Sequence, residues 1–162
     1  MLKENIEEAI NEQINAELYS AYLYLAMAAD FAEKGLDGFK HWMRLQADEE
    51  VEHAMRFFDY LNSRGGRVKL SAVDKPKNEW ESSIEAFEDA YEHEQKVTRM
   101  INDLADLAEK EKDRATLNML QWFIDEQVEE EESAEEIVTK LRMIGDNVSG
   151  LMMLDSKLGE RE

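Results

Sequence analysis

Apolar residues recur every three or four positions along four long stretches of this chain, the spacing of helices that each bury one face. The first runs from about Asn5 to Lys34, with Ile6, Ile10, Ile14, Glu17, Ala21, Tyr24 and Ala28 on one stripe and Gly35 as its C-terminal cap. The second runs from about Gly38 to Arg64 through Phe39, Met43, Gln46, Glu49/Glu50, His53, Phe57 and Tyr60/Leu61, and Gly65-Gly66 ends it. The third opens at Ser82, with Glu85 three residues later as in a capping box, and reaches about Lys110 through Ile84, Phe87, Tyr91, Glu94, Thr98, Ile101, Ala105 and Ala108. Asp113 caps a fourth, which reaches about Met143 with Thr116, Met119/Leu120, Phe123, Gln127, Glu130, Ala134, Ile137 and Leu141 inward. A short apolar segment from Val148 to Leu158 follows, between Gly145 and Gly159.

The stretch from Gly65 to Trp80 contains Pro76 and has no helical period. Roughly fifteen extended residues at ~3.3 Å each can travel the ~40 Å of the second helix, so the connection crosses the bundle from end to end. The third helix is then parallel to the second. The expected fold is all-α: a single domain over residues 1–162, with a four-helix bundle over about 5–143, one long crossover between the second and third helices, and a short fifth helix over about 148–158.

Four carboxylates and one histidine interrupt these stripes. They are Glu17, Glu50 with His53, Glu94, and Glu130 with Gln127, each near the middle of its helix. Burying an unpaired carboxylate costs several kcal/mol, so four helices do this together only where something cationic compensates. Four negative charges match two divalent cations, and the pattern reads as a two-metal site in the bundle core.

Composition narrows the chemistry. The chain has no cysteine, which excludes disulfides, thiolate zinc sites and iron–sulfur clusters and leaves oxygen and nitrogen ligands. Its 38 Asp and Glu against 19 Lys and Arg give a formal net charge of -19, which repels nucleic acid and attracts cations. The N-terminus MLKENIEEAI lacks the basic and apolar regions of a signal peptide, and no stretch approaches the ~18 apolar residues of a membrane span. The expectation is a cytoplasmic protein without nucleic-acid or membrane partners. The apolar run Leu151, Met152, Met153 and Leu154 exceeds what four helices need for cover and predicts an interface between copies.

Glu17-Leu-Tyr-Ser-Ala-Tyr-Leu-Tyr, Glu49-Glu50-Val-Glu-His53, Tyr91-Glu-His-Glu94 and Glu126-Gln-Val-Glu-Glu-Glu resemble the iron-site motifs of the ferritin family across essentially the whole chain. The ligand pattern that follows comes from this resemblance, di-iron carboxylate sites in four-helix bundles being a known arrangement. It implies one iron held by Glu17, Glu50 and His53, with Glu50 bridging to a second held by Glu94 and Glu130, and Gln127 alongside. The fourth helix carries Gln127 and Glu130 where a second Glu-x-x-His would put Glu and His. Val51 stands where bacterioferritins place a haem-ligating Met, so haem is not expected and the chain resembles a non-haem, prokaryotic-type ferritin. Glu49, Glu126 and Glu129 flank the same seams; they are either solvated surface or, as the resemblance implies, a third iron site. Tyr24 is either a core aromatic or a hydrogen-bonding and one-electron partner of the iron pair. Trp42 and Trp122 read as core or interface aromatics, and His41 and His93 as surface or packing histidines.

The resemblance implies an iron store. Iron(II) enters, oxygen or hydrogen peroxide oxidises it at the paired site, and ferric mineral accumulates in a hollow shell of twenty-four subunits, with the fifth helix at a shell axis. Two other readings stand beside it. A rubrerythrin-like oxygen-activating enzyme would keep the pair of metals, but usually adds a cysteine-ligated iron domain. A metal-free helical scaffold would need neither.

Overall fold

The computed structural model of the protein covers residues 1–162 and is built of five helices and no strands. They are α1 (Glu4–Glu33), α2 (Asp37–Ser63), α3 (Ser83–Lys110), α4 (Arg114–Ile144) and α5 (Val148–Leu158). The end contacts fix their directions. Lys3 and Asn5, at the start of α1, donate to Glu111 just past α3, at 2.5 and 2.8 Å. Arg64, after α2, forms a two-pronged pair with Asp113 before α4, at 3.1 and 3.0 Å. Arg142, late in α4, reaches Glu88 early in α3 at 2.9 Å. So α2 runs antiparallel to α1, and α3 parallel to α2, as a crossover requires.

That crossover lies along α1 and is pinned to it by backbone groups. Asn11 donates to the Arg67 carbonyl (3.0 Å) and accepts from the Lys69 N–H (2.7 Å). Asn15 donates to the carbonyls of Ser71 and Ala72, and Lys34 to that of Trp80. An irregular segment keeps its backbone polar groups satisfied this way while spanning the bundle. Trp80 then enters the core and donates its indole N–H to Asp89 at 2.7 Å.

The expected caps form, with one shift. Ser82 Oγ accepts from the Glu85 N–H (3.2 Å), but the returning Glu85 carboxylate takes the N–H of Glu81 (2.6 Å), one residue earlier than a capping box would place it. Asp113 accepts from the Thr116 N–H at 3.1 Å. α2 has no side-chain cap of its own, and α5 supplies one: the Asp155 carboxylate accepts from the Phe39 N–H at 3.0 Å. Gly38 permits this approach, because a Cβ there would lie 1.6 Å from the Asp155 carbonyl oxygen.

α1 and α3 end in the same turn with different residues. At α1, Leu36 N–H reaches the Phe31 carbonyl and Gly35 N–H that of Ala32, with Gly35 at φ +73°. At α3, Asp113 N–H reaches Ala108 and Lys112 N–H reaches Glu109, with exposed Lys112 at φ +58°. A left-handed lysine suffers the Cβ–carbonyl crowding that glycine escapes. Lys112→Gly should therefore raise stability by about 1 kcal/mol, seen as a higher denaturant midpoint at unchanged slope. A lower midpoint would mean that the lysine side chain contributes more than its backbone costs.

Candidate metal centre

A polar layer cuts the core in two at the same level on all four helices. One apolar half contains Tyr24, Met27, Phe31, Phe39, Met43 and Phe87; the other contains Ile6, Ile10, Ile14, Phe57, Ile101 and Phe123. Between them lie Gln13 and Glu17 on α1, Gln46, Glu50 and His53 on α2, Glu94 on α3, and Gln127 and Glu130 on α4, all buried. The predicted metal-site residues of the four stripes are thus brought together in one layer. Their helix-centred positions made this possible, since the end contacts of α1 with α3, α2 with α4 and α3 with α4 hold the helices level with one another.

Within the layer the ionisable groups converge in three overlapping sets. Glu17, Glu50 and His53 offer ligand atoms within 4.8 Å of one another, as do Glu50, Glu94 and Glu130, and His53, Glu126 and Glu130. Glu50 is common to the first two sets, which are those the resemblance assigned to the two irons. His53 Nδ1 stands 3.3 Å from Glu50 Oε2 and 4.0 Å from Glu17 Oε2. The imidazole packs edge-on against Trp122 and Phe123, at centroid distances of 5.5 and 5.9 Å. With the acids ionised, Glu17 Oε2 is the only buried side-chain oxygen or nitrogen without a hydrogen-bond partner. An orphan carboxylate oxygen facing an imidazole nitrogen and a second carboxylate fits a cation between them.

Other residues hold these oxygens in place. Gln13 donates to Glu17 Oε1 (2.8 Å), Gln46 to Glu130 Oε2 (2.5 Å), and the Tyr24 hydroxyl to Glu94 Oε1. The Gln127 amide nitrogen faces three acceptors: Glu94 Oε2 at 3.1 Å, the Glu94 carbonyl at 3.3 Å and Thr98 Oγ1 at 3.2 Å. A carbonyl and a carboxylate can only accept, which fixes the amide nitrogen on that side. Gln127 therefore acts on the layer by bracing Glu94.

The crowding of acids shows in their proton affinities. Burial, then the neighbouring Glu50 charge, raises Glu17 well above the usual carboxylate range. Burial and then Glu94 do the same to Glu50. Glu94 is pushed up to about 7, chiefly by burial, and Glu130 to about 8 by burial and the Glu94 charge. Burial, followed by the Glu94 charge, also raises the Tyr24 phenol well above its ordinary value, so it stays a donor. Without a cation the layer therefore favours protonated acids over bare carboxylates.

The flanking acids are less gathered. Glu126 lies near His53 Nε2 at 4.0 Å and belongs to the third set. Its carboxyl is raised first by burial, with His53 opposing and Glu129 and Glu49 adding to the rise. Glu129 is exposed, and Glu49 pairs with Arg161 at 2.9 Å. His93 is mostly buried 2.7 Å from Ser20 Oγ, and burial, then the Lys96 charge, lowers it to about 4. His41 Nε2 lies 2.7 Å from the Arg161 carbonyl. Trp42 is in the core, and half-buried Trp122 meets His53 edge to face and carries the Arg56 guanidinium over its ring, 3.7 Å from the centroid. Gln13, Gln46, Thr98 and Arg161 were not anticipated as parts of the site. Gln13 and Gln46 carried a signal, standing four residues before Glu17 and Glu50 on the same stripes.

Comparison with known proteins agrees with this geometry. The family model described as a ferritin-like domain matches residues 7–144. A bacterial non-heme ferritin of Bacteroides fragilis is 44% identical over 99% of this chain and 100% of its own length. Another, from Staphylococcus aureus, is 40% identical over 99% of this chain and 97% of its own. Among solved structures, the open pore ferritin of the hyperthermophilic archaeon Archaeoglobus fulgidus superposes with a TM-score of 0.99 at 54% identity, both chains covered completely. With a ferritin-like family model matched over residues 7–144 and relatives named non-heme ferritin aligned along nearly the whole chain, beside this layer of buried acids around one histidine, the chain belongs to the ferritin family, whose members bind and store iron.

Proposed function

We propose that this protein is a ferroxidase and an iron store of the cytoplasm, oxidising iron(II) at the layer formed by Glu17, Glu50, His53, Glu94 and Glu130. The observation that carries the reading is the partnerless Glu17 Oε2 inside a ring of four raised carboxylates. Glu17, Glu50 and His53 hold one iron(II), and Glu50, Glu94 and Glu130 the other, Glu50 being shared. Binding expels the protons that the layer carries without metal, because each oxygen must give its lone pair to the cation. Two iron(II) then deliver two electrons to one oxygen molecule, which takes up two protons to leave as hydrogen peroxide. Gln13, Gln46, Tyr24 and Gln127 keep the acceptor oxygens fixed through this charge change, so no side chain has to reorganise. Glu126, with His53 and Glu130 beside it, offers the departing or waiting ion a third position toward Glu49 and Glu129.

The store itself needs an enclosed volume. Met143, Val148, Met152 and Met153 are exposed around α5, and Tyr22 and Leu25 along α1. Apolar residues gathered like this on two faces support closed assembly. A shell of twenty-four subunits of 18.9 kDa each would weigh roughly 450 kDa. Light scattering on the purified protein, followed by electron microscopy after aerobic iron(II) addition, tests both halves. Dense mineral cores within particles of that mass are expected. A species near monomer mass, or iron precipitating outside the particles, would overturn the reading.

A further inference from the structure

The edge of the layer already holds a cation, and it belongs to the chain. Arg161 folds back beyond α5 with its guanidinium 4.6 Å from the Trp42 ring centroid, and makes three polar contacts on α2. It donates to the Trp42 carbonyl at 3.2 Å, to Gln46 Oε1 at 3.1 Å and to Glu49 Oε2 at 2.9 Å. Its own backbone is fixed as well, with its N–H on the Leu158 carbonyl (3.3 Å) and its carbonyl facing His41 Nε2. A guanidinium has no acceptor, so it also decides which way Gln46 faces: oxygen toward Arg161, nitrogen toward Glu130. One side chain thus reaches both the flanking acid Glu49 and, through Gln46, the ligand Glu130.

We propose that Arg161 is an intramolecular counter-cation that competes with a third metal ion for Glu49. While the guanidinium is docked, Glu49 is neutralised by its ion pair, and the paired positions fill alone. A third ion takes Glu49 only when Arg161 lets go. The docking is strong enough to hold without a metal and weak enough to yield: the Arg161 side chain is 23% exposed and that of Glu49 41%, the regime in which an ion pair contributes up to ~1 kcal/mol. This inference rests on the reading of Glu49, Glu126 and Glu129 as a third position.

Zinc(II), which does not change oxidation state, tests it by calorimetric titration of the full-length assembled protein at physiological salt. Two tight events per subunit and a weaker third are expected. Arg161→Gln should tighten the third event about two- to five-fold, the fold-change equivalent of removing such a pair. Arg161→Lys keeps a charge that can still meet Glu49, and should leave the third affinity near that of the original protein. Glu49→Gln should weaken the third event, and adding Arg161→Gln to it should then change nothing more. Thermal unfolding of each variant separates a loss of fold from a change in binding, since mere loosening of the chain end cannot tighten a site. A third event unmoved by Arg161→Gln, or tightened equally in the Glu49→Gln background, overturns the role of Arg161 alone. Two tight events and no third in any form overturn the third position, and this proposal with it.

Discussion

Replacing Glu50 by Ala should slow rapid iron(II) oxidation by more than about 100-fold, because two metal positions lose the same oxygen donor at once. Glu50 alone belongs both to the set with Glu17 and His53 and to the set with Glu94 and Glu130. Removing groups that merely orient a metal ligand typically costs ~10–100-fold, and a shared ligand should cost more. The alternative cause, a damaged fold, is separable. Glu50→Gln keeps the shape of the side chain and removes only its charge, so it should lose the burst to a similar degree. Its metal-free form should not be less stable, since it removes a buried acid whose charged form is disfavoured first by burial and then by Glu94. His53→Ala should slow oxidation severely but leave the Glu50, Glu94 and Glu130 set able to bind one ion. Stopped-flow absorbance after mixing with aerobic iron(II) reads all three variants. A Glu50→Ala burst near the original rate would show that the two sets do not share this residue.

The helices and the layer were legible because each is a matter of period. Stripes at three- and four-residue spacing located α1 to α4 to within about one residue at each end, and Glu17, Glu50, Glu94 and Glu130 stood out as acids on apolar stripes near helix centres. Equal depth along four helices of similar length is enough to bring such residues to one level. The crossover was legible from length and from Pro76. What period cannot carry is a contact between elements far apart in sequence. Asp155 caps α2 from α5, and Arg161 reaches Glu49 from beyond α5; neither lies on a stripe, and both depend on Gly38 letting the two helices meet. Nor does spacing say which atom of a side chain faces the site. Gln127 fell on the right stripe, but its role follows from Glu94 and Thr98 accepting from its nitrogen. Lys112 shows a third kind of blindness: a left-handed turn usually announces itself by glycine, and here a lysine occupies it.

Metal-free protein should lose stability as pH rises from 6.5 to 8.5, a window in which paired surface carboxylates, ionised in both states, leave stability flat. Glu94 at about 7 and Glu130 at about 8 both lie above the unfolded value of 4.5, so the folded chain binds more protons than the unfolded one across this window. Stability from a raised carboxyl is fully present below pH 4.5 and is lost as pH climbs through the folded value. For these two groups together, linkage gives about 3 kcal/mol lost between pH 6.5 and 8.5, or roughly 6–12 °C of melting temperature for a domain of this size. Glu17 and Glu50, raised in the same direction, add to it. His93 works the other way, its lowered value of about 4 removing stability as pH falls below 6.5, so the window above that pH isolates the acids. Saturating zinc(II) should abolish the slope or invert it. The cation stands where the protons stood, and its affinity grows as the carboxyls ionise. Scanning calorimetry of chelator-treated and zinc-loaded protein across this range makes the comparison. A metal-free melting temperature that is flat or rising with pH would mean that the four acids ionise freely without a cation, and the case for a metal centre built on their mutual repulsion would fail.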